Sequence, residues 1–544
     1  MPDRIDGFKV LCEGGLLSNE HHLDMSDRSP GAATLLVNFE PSIYGGYRRM
    51  EGYQYFDADY PAVGDGTAEG KVLGVIYFSN RGIGNPYVIA ARKDVGAATY
   101  SLWKHTPLVG WSKITGATGL AMSAAGRNVT RIRAEEFDFG NGPCIAFVDG
   151  VNQPYVFNGT TVYTLTIAGT GGTGSPGGDQ LINAPALVQV FEDHLFFSSG
   201  IEASLVCHSA PRDPYTFTAA AGGGQIPAGF SVNQLYPFRE DLFVFGTSAI
   251  KRIEVGSTGD FLLKQVTSNV GCIARDTVQE IGGDLVFLSS DGLRPVAGTS
   301  RIGDVELETI SKPIQGLLLD IVKNQELDDL VSVAVRSKSQ YRMFYGADTD
   351  TVDASYGIIG GLTFRDGALA WEYGEIKGMR ASCASSQYIG TEEVVLHGDF
   401  DGNLYQQEQG TNFNGTPIFA VYATSFLDFG DTEIRKTYRK LNTFVRAEGP
   451  FNVFLNVRYN WGEGTVSVPV GYSGSISGSP TVYGGRGVTF DGENIIYGGS
   501  SPIYEQNIQG SGRSVQATFI STEDCEPFSI QGFVWEFSGA GRRE

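Results

Sequence analysis

One stretch of the sequence carries the glycine spacing that binds dinucleotides in other proteins. Gly169, Gly171 and Gly174 stand in the order G-x-G-x-x-G after a predicted strand, within VYTLTIAGTGGTGSPGG (162–178). The pattern binds pyrophosphate when a helix begins directly after it and presents its free amides to the ligand. Here the letters SPGG follow, and they favour coil. We therefore interpret the stretch as a loop between strands and predict no nucleotide cofactor.

A second stretch, HGDFDGNLYQQEQG (397–410), has the alternating oxygen ligands of a calcium loop. Asp399, Asp401 and Asn403 occupy every other position. An EF-hand loop requires glycine at position six and glutamate at position twelve, whereas here both positions differ. An Asp-Gly hairpin turn accounts for the same letters, because both residues tolerate the backbone angles of tight turns. We predict no metal here.

The adjacent pair His21-His22, with Glu20 and Asp24 nearby, is a further arrangement that metal or acid–base chemistry can use. In an extended segment, which we predict here, neighbouring side chains point in opposite directions, so a solvated surface is favoured. No G-x-S-x-G nucleophile elbow occurs. Two of the 61 carboxylates can meet as in a glycosidase, but the sequence singles out no such pair. We predict that the protein is not an enzyme.

Basic residues are densest near the C-terminus, in RKTYRK (435–440). Alternation around Tyr438 favours one solvated face of a strand, and contact with a partner subunit or with DNA phosphates are the alternatives. The patch comprises Arg435, Lys436, Arg439, Lys440, Arg446, Arg542 and Arg543.

Composition sets the fold class that must position these residues. The chain has 544 residues, of which 73 are glycine and 22 are proline, and this indicates many short strands joined by tight turns. The six cysteines are scattered, without a C-x-x-C pair, which favours buried free thiols. No segment is apolar over the roughly 18 residues that a membrane span requires, and the start MPDRIDGFKV lacks a signal-peptide core. We expect an all-β protein, without a membrane span, that folds in a cytosol.

A repeated phrase indicates the architecture. FEDHLFFSSG (191–200), FREDLFVFGTSAIKRIEVG (238–256) and IGGDLVFLSSDGLRPVAG (281–298) align on Asp193, Asp241 and Asp284. The intervals of about 48 and 43 residues are typical of β-propeller blades. Each phrase is interpreted as the inner hairpin of one blade, whose continuous apolar strand is covered on both faces. We predict a β-propeller of six or seven blades.

The flanking regions follow different patterns. We predict an N-terminal extended arm and docking segment over 1–70, the propeller over 71–417 and a C-terminal β-sandwich domain over 418–544, where longer alternating runs begin. One helix is predicted over 313–327, with Ser311 as its N-cap. The segment 471–485 is predicted to be a loop.

The segment LLVNFEPSIYGGYRRMEGYQYF (35–56) carries N-F-E-P, G-G-Y-R-R and G-Y elements. Together with the layout of arm, propeller and β-domain, these elements resemble the tail nozzle family of short-tailed bacteriophages. That family is also called tail tubular protein B or packaged-DNA stabilisation protein. Gly45, Gly46, Tyr47, Arg48 and Arg49 are the residues carried over from the resemblance, as packing or docking residues.

The resemblance implies a structural virion protein, assembled in the host cytoplasm and resident in the virion tail. It implies a ring of copies, typically a hexamer, which attaches below the portal and the tail adaptor protein and binds tail fibre or spike proteins. Such a ring continues and gates the channel for genomic double-stranded DNA. The net charge of −21 suits a conduit that must not hold phosphate, although ordinary solubility also accounts for it. The alternative is a propeller-type tail protein that binds a receptor or hydrolyses glycans.

Overall fold

The computed structural model describes residues 5–539 except 58–69, 80–86, 95, 107–108, 125, 166–183, 200–201, 258, 297–308, 347–355, 366, 463–469 and 479–502. Within these residues, strands dominate and the two α-helices are His22–Arg28 and Gln315–Asn324. Neither helix is long and apolar enough to cross a membrane. Short 3₁₀ turns occur at Ala219–Ala221, Lys312–Ile314, Arg336–Lys338 and Asn460–Gly462.

Seven sheets form the propeller part of the described chain, and they are numbered here by the chain order of the strand that each places on the central axis. Sheet 1 contains Val72–Phe78, Tyr87–Lys93, Thr99–Thr106, Gly110–Lys113 and Leu120–Ala121. Sheet 2 contains Arg133–Phe137, Cys144–Val148, Tyr155–Phe157 and Val162–Thr164. A two-stranded hairpin, Ser123–Ala124 with Arg127–Asn128, lies between them. Sheet 3 contains Pro185–Phe191, His194–Ser199, Leu205–His208 and Gly224–Pro227.

The remaining sheets continue the series. Sheet 4 contains Val232–Phe238, Asp241–Gly246, Ile250–Val255 and Phe261–Thr267. Sheet 5 contains Gln279–Ile281, Asp284–Ser289 and Gly292–Pro295. Sheet 6 begins with Val331–Val335, Gln340–Tyr345, Tyr356–Arg365 and Ala368–Lys377. Sheet 7 contains Cys383–Ile389, Glu392–Gly398, Leu404–Gln407, Tyr53–Tyr55, Asn412–Phe413 and Thr416–Pro417.

The first strands of all seven sheets line one central cavity, and this arrangement is a β-propeller. The ring closes where sheet 7 packs against sheet 1, because Cys383, Leu396 and Leu404 share an apolar cluster with Val72 and Trp103. Two hydrogen bonds to the backbone of Val72 reinforce the closure. Val72 N donates to Asp399 O at 3.0 Å, and Ser382 Oγ donates to Val72 O at 2.7 Å.

Each repeated phrase begins at the turn between the first and second strands of sheet 3, 4 or 5 and continues through the second strand. In sheets 4 and 5 it also includes the turn to the third strand, where the sequence placed the bend of the hairpin. The apolar run of each second strand is buried on both faces. Phe196, Val244 and Phe287 are all fully buried, in clusters that join neighbouring sheets. The phrase recurs in the sequence because the second strand of each sheet must be apolar on both faces to pack between the neighbouring sheets.

Sheet 6 does not end at the propeller. Lys377 ends its fourth strand, and Ala33–Val37 then pairs beside that strand through the parallel bridge Val37 to Glu375. Beyond it the sheet continues through Ala420–Thr424, Val515–Ser521, Phe451–Tyr459 and Tyr472–Gly478. One nine-stranded sheet, called here the long sheet, therefore spans the propeller and the C-terminal domain.

A second sheet, called here the C-terminal sheet, packs on the far part of the long sheet to form the β-sandwich. Its strands are Phe39–Pro41, Tyr47–Arg49, Phe528–Gly539, Lys436–Ala447, Ile503–Gly512 and Asp6–Leu11. Their shared core is aromatic: Phe519 of the long sheet lies 5.7 Å from Phe533, between ring centroids. Tyr438 and Trp535 are fully buried in the same core.

The segment predicted as an N-terminal arm is folded, over its described residues, into sheets formed by the rest of the chain. Asp6–Leu11 and Tyr47–Arg49 pair with Phe528–Gly539. Ala33–Val37 bridges the two parts of the long sheet, and Tyr53–Tyr55 pairs with Leu404–Gln407 in sheet 7. These partners lie hundreds of residues away in the sequence, so no local pattern in the segment predicts the pairings.

Three local predictions need correction. The predicted helix over 313–327 occurs as Gln315–Asn324, but Ser311 does not cap it, because the Ser311 hydroxyl instead accepts from Leu293 N at 2.9 Å. The predicted loop over 471–485 contains the strand Tyr472–Gly478, paired with Phe451–Tyr459. The segment predicted as extended at His21-His22 contains the helix His22–Arg28, and His21 Nδ1 accepts from Leu23 N at its start.

Candidate interaction surfaces and the propeller axis

The G-G-Y-R-R element forms a hairpin, called here the signature hairpin, in which Phe39–Pro41 pairs with Tyr47–Arg49. Both Gly45 and Gly46 have positive φ, at 82° and 84°. They differ in the space around them. A Cβ on Gly45 would meet nothing within 4 Å, whereas a Cβ on Gly46 would lie 2.2 Å from Ile530 O. Only glycine therefore fits at position 46, where the turn presses against strand Phe528–Gly539.

Tyr47 points into the sandwich core and is fully buried. Its hydroxyl donates to Gly31 O at 3.2 Å and accepts from Gly15 N at 2.9 Å. Burial raises the pKa of Tyr47 well above its ordinary value, and the ring packs edge-on against Tyr422. The tyrosine thus fixes two glycine-containing turns of the N-terminal segment from inside.

Arg48 forms ion pairs with three carboxylates of its own chain. Its guanidinium lies 2.8 Å from Glu40, 2.7 Å from Glu51 and 2.6 Å from Glu448. Burial alone would lower the pKa of Arg48, but these three carboxylates raise it above its ordinary value. Glu448 follows the strand Lys436–Ala447, so Arg48 ties the signature hairpin to the C-terminal domain.

Glu40 extends this contact into the propeller. Its buried carboxylate lies 2.8 Å from Lys338 and 3.2 Å from Arg342, both at sheet 6. Arg342 in turn lies 2.6 Å from Glu408, beside sheet 7. Although burial raises the pKa of Glu40, the charges of Lys338, Arg48 and Arg342 outweigh it and hold that pKa below its ordinary value. We call Glu40, Arg48, Lys338, Arg342 and Glu408 the ion network.

Arg49 completes the junction through carbonyl groups instead of carboxylates. Its Nη1 donates to Cys525 O at 2.8 Å, and its Nη2 donates at 3.2 Å to both Thr411 O and Glu523 O. Burial lowers the pKa of Arg49. Tyr47, Arg48 and Arg49 therefore take the packing role of the two that the sequence suggested, and Gly45 lies on the exposed turn.

The basic patch of the C-terminal sheet divides into inward and outward residues, but a register shift between Tyr438 and Lys440 interrupts the alternation. Lys436 is buried and its ammonium donates to three carbonyls, those of Asp431, Ile434 and Arg513. Arg435, Arg439 and Arg446 are exposed. Lys440 pairs with Glu505 at 2.5 Å on the outer face. Arg542 and Arg543 lie outside the described residues.

The cavity on the propeller axis has a volume of about 240 Å³ and polar walls. Asp276 lies 2.7 Å from Arg131 and 2.6 Å from Arg133, and the two arginines hold the pKa of Asp276 below its ordinary value against the effect of burial. Glu135 lies two residues after Arg133 on the strand Arg133–Phe137, and burial raises the pKa of Glu135 to about 8. The axis thus carries the paired charges of Asp276, Arg131 and Arg133 and, separately, the buried carboxyl of Glu135, whose pKa is raised.

The remaining candidates from the sequence have local roles or cannot be placed. Asp399 Oδ1 accepts from Asp401 N at 2.9 Å and from Asn403 N at 2.7 Å, as an aspartate does when it fixes a hairpin turn. His22 packs edge-on against Phe426. Gly169, Gly171 and Gly174 lie outside the described residues.

Comparison with known proteins adds a fold-level likeness. The chain is similar to BBS1N, solved as a crystal in complex with ARL6DN and soaked with lead. The likeness covers 67% of this chain and 99% of BBS1N, at 10% sequence identity and a TM-score of 0.37. No protein-family model and no curated protein matches the chain.

Sequence reasoning did not find the ion network or the Arg131–Asp276–Arg133 cluster. The N-F-E-P element contains Glu40, but its partners Lys338 and Arg342 lie about 300 residues away. The only available signal was the acid in an otherwise apolar segment, since a charged residue among buried neighbours requires a partner. Such a signal indicates that a partner exists without identifying it.

Proposed function

We propose that this protein is a structural component of a bacteriophage tail: an oligomeric nozzle that continues the DNA channel below the portal and the adaptor. The supporting observation is the resemblance of the N-F-E-P and G-G-Y-R-R elements to the tail nozzle family. In this chain those elements form the signature hairpin and the ion network, which join the propeller to the sandwich. A tail component under load benefits from such a rigid junction.

The proposal assigns the DNA path to the centre of a ring of copies. The cavity on the axis of one propeller is only about 240 Å³ and contains the Arg131–Asp276–Arg133 cluster. A duplex whose major groove alone is about 12 Å wide does not fit there. With a net charge of −21 per copy, the ring would carry excess negative charge, so phosphates would be repelled and the duplex would slide.

Within this proposal the chain has no catalytic role and needs no cofactor. Its partners are further copies of itself, the adaptor above, and tail fibres or spikes attached at the side. The virion tail is the place of function, and assembly takes place in the host cytoplasm. The competing proposal, a tail protein that binds or hydrolyses envelope glycans, predicts measurable affinity for polysaccharide.

Mass measurement under native conditions tests the proposal. The purified chain is measured alone and after mixing with a tail adaptor protein. We expect a closed oligomer in at least one of these samples, visible as rings by negative-stain microscopy. A chain that remains monomeric in both samples contradicts the proposal. A glycan array and a reducing-sugar assay on host polysaccharide then examine the competing function directly.

A further inference from the structure

An exposed apolar groove lies between the turn of the signature hairpin and the end of the hairpin Tyr356–Lys377. Its volume is about 500 Å³. Four large apolar side chains on its wall are mostly open to solvent: Ile43 is 70% exposed, Tyr44 58%, Phe364 75% and Leu369 68%. Exposed apolar side chains this close together are typical of a surface that another protein covers.

The groove continues onto the outer face of the C-terminal sheet. Leu11 lines the groove and lies on that face, in register with Gly532 of the neighbouring strand. Tyr44 lies under the Arg446 guanidinium, 3.6 Å from ring centroid to Cζ, and its carbonyl accepts from Gln531 Nε2 at 3.4 Å. We call the groove and this face together the docking surface.

The outer face is basic, in contrast to the chain as a whole. Strand register places Lys9, Lys440 and Arg446 on it, and Arg435 and Arg439 are exposed beside them. Among the described residues, Glu13 and Glu372 line the groove, Glu448 pairs with Arg48 near Arg446, and Glu505 and Glu536 lie on the outer face. Glu505 pairs with Lys440 at 2.5 Å, and Glu536 accepts from Asn442 Nδ2 at 3.0 Å. A row of apolar side chains, Leu11 and Ile503 among them, crosses the same face.

A different surface of the same chain combines exposed apolar side chains with an excess of carboxylates. Where the N-terminal segment meets the helix Gln315–Asn324, Asn19 Nδ2 donates to Lys312 O at 2.9 Å and Asn19 Oδ1 accepts from Gly316 N. Leu23 and Leu319 are exposed on these two elements. We call this surface the acidic corner. Its exposed carboxylates, Glu20, Asp24, Asp27, Asp320, Glu326 and Asp328, outnumber its exposed cations, Arg28, Lys312 and Lys323.

We propose that the docking surface binds the acidic corner of a second copy of this chain. The inference rests on the proposed function and names the contact that closes the ring. Two copies with a net charge of −21 repel each other in most orientations, so an approach of the basic face to the acidic corner is favoured. Because the two surfaces differ, the contact is heterologous, and repeating it generates a ring when the rotation closes.

Charge reversal tests the contact. The variant Arg439→Glu/Arg446→Glu reverses the docking surface, and Asp24→Lys/Asp320→Lys reverses the acidic corner. We expect each double variant to weaken self-association by at least about tenfold near 0.1 M salt, since like charges then face each other. The chain with all four substitutions should recover most of the association. Phe364→Ser/Leu369→Ser should weaken association without changing its dependence on salt.

The control is Lys93→Glu/Lys264→Glu, which changes net charge equally at two exposed lysines of the propeller. We expect this control to associate like the wild type, and circular dichroism checks that every variant is folded. If the wild type forms rings that both reversals leave intact, the named contact is wrong while the nozzle proposal stands. If only the docking-surface variant dissociates, the second copy uses a different surface. A wild type that never associates contradicts both proposals.

Discussion

The two arginine-rich elements of this chain, G-G-Y-R-R and RKTYRK, are alike in sequence and opposite in structure. In the first, Arg48 and Arg49 are held inside the molecule by Glu40, Glu448 and backbone carbonyls. In the second, Arg435 and Arg439 face solvent on the outer face of a sheet. The difference lies in the carboxylates and carbonyls that distant segments bring to each element. A basic motif therefore does not by itself indicate whether it serves the interior or a partner.

The largest effect should follow from breaking the ion network. Arg342→Met leaves the Glu40 and Glu408 carboxylates buried without one of their cations, and we expect the free energy of unfolding to fall by about 3–5 kcal/mol. Denaturant titration measures the change. Arg439→Met on the outer face is the control, with an expected change within about 0.5 kcal/mol. Equal losses in the two variants would show that the buried Arg342 contributes no more to stability than the exposed Arg439.

The two glycines of the signature hairpin give the next contrast. Gly46→Ala combines a left-handed backbone, which costs about 1–2 kcal/mol, with a Cβ 2.2 Å from Ile530 O, so we expect a loss of about 3 kcal/mol. Gly45→Ala has nearly the same φ in open space and should lose only about 1 kcal/mol. Thermal melting of the pair measures the difference. A larger loss at position 45 would contradict the proposed packing against strand Phe528–Gly539.

The interior should also respond to acid. His397 is buried beside Gln407, which contacts Arg342, and burial lowers the pKa of His397 to about 3. The folded chain keeps this imidazole neutral while the unfolded chain binds a proton below about pH 6.5. Stability is therefore intact above pH 6.5 and falls as pH decreases toward 3, by about 2 kcal/mol between pH 6.5 and 5.

His397→Gln removes the titrating group while it keeps a polar side chain of similar length. The difference in unfolding free energy between variant and wild type should change with pH by the amount given above. A wild type whose stability stays flat from pH 6.5 to 5, relative to His397→Gln, would falsify the assignment.

The smallest effect separates two lysines of the basic patch itself. The ammonium of Lys436 donates to three carbonyls, and Lys436→Met leaves these acceptors unsatisfied, so we expect a loss of about 1–3 kcal/mol. Lys440→Met removes only a surface pair with Glu505, and the melting temperature should not change measurably. Indistinguishable melting curves would mean that Lys436 is not held as described.

The propeller could be predicted from the sequence because its signal is local and repeated. Asp193, Asp241 and Asp284 mark turns between strands that are consecutive in the chain, so the local sequence is enough to predict each pairing. The path of the N-terminal segment could not be predicted in this way. Tyr53–Tyr55 pairs with Leu404–Gln407, and the letters of a three-residue strand do not specify a partner 350 residues away.

The candidate site shows the same difference between local features, which the sequence can predict, and long-range contacts, which it cannot. The alternation of RKTYRK separates the buried Lys436 from the exposed Arg435 and Arg439, but it does not predict the register shift that turns Lys440 outward as well. The partners of Glu40 and Arg48 were not predictable, since any of the chain's many opposite charges satisfies the electrostatic requirement. The docking surface was missed because Ile43 belongs to one hairpin and the paired Phe364 and Leu369 to another, and only folding brings the two hairpins together.

Because the strand Asp6–Leu11 pairs with Phe528–Gly539, this part of the sheet cannot form until the ribosome has synthesised nearly the whole chain. At roughly 5–20 residues per second, the first strand leaves the exit tunnel on the order of a minute before its partner exists. During that interval an unpaired edge and its apolar neighbours are open to other nascent chains. Efficient production should therefore depend on chaperones that shield the N-terminal segment, and fusion of a slow-translating tag to the C-terminus should lower the soluble yield.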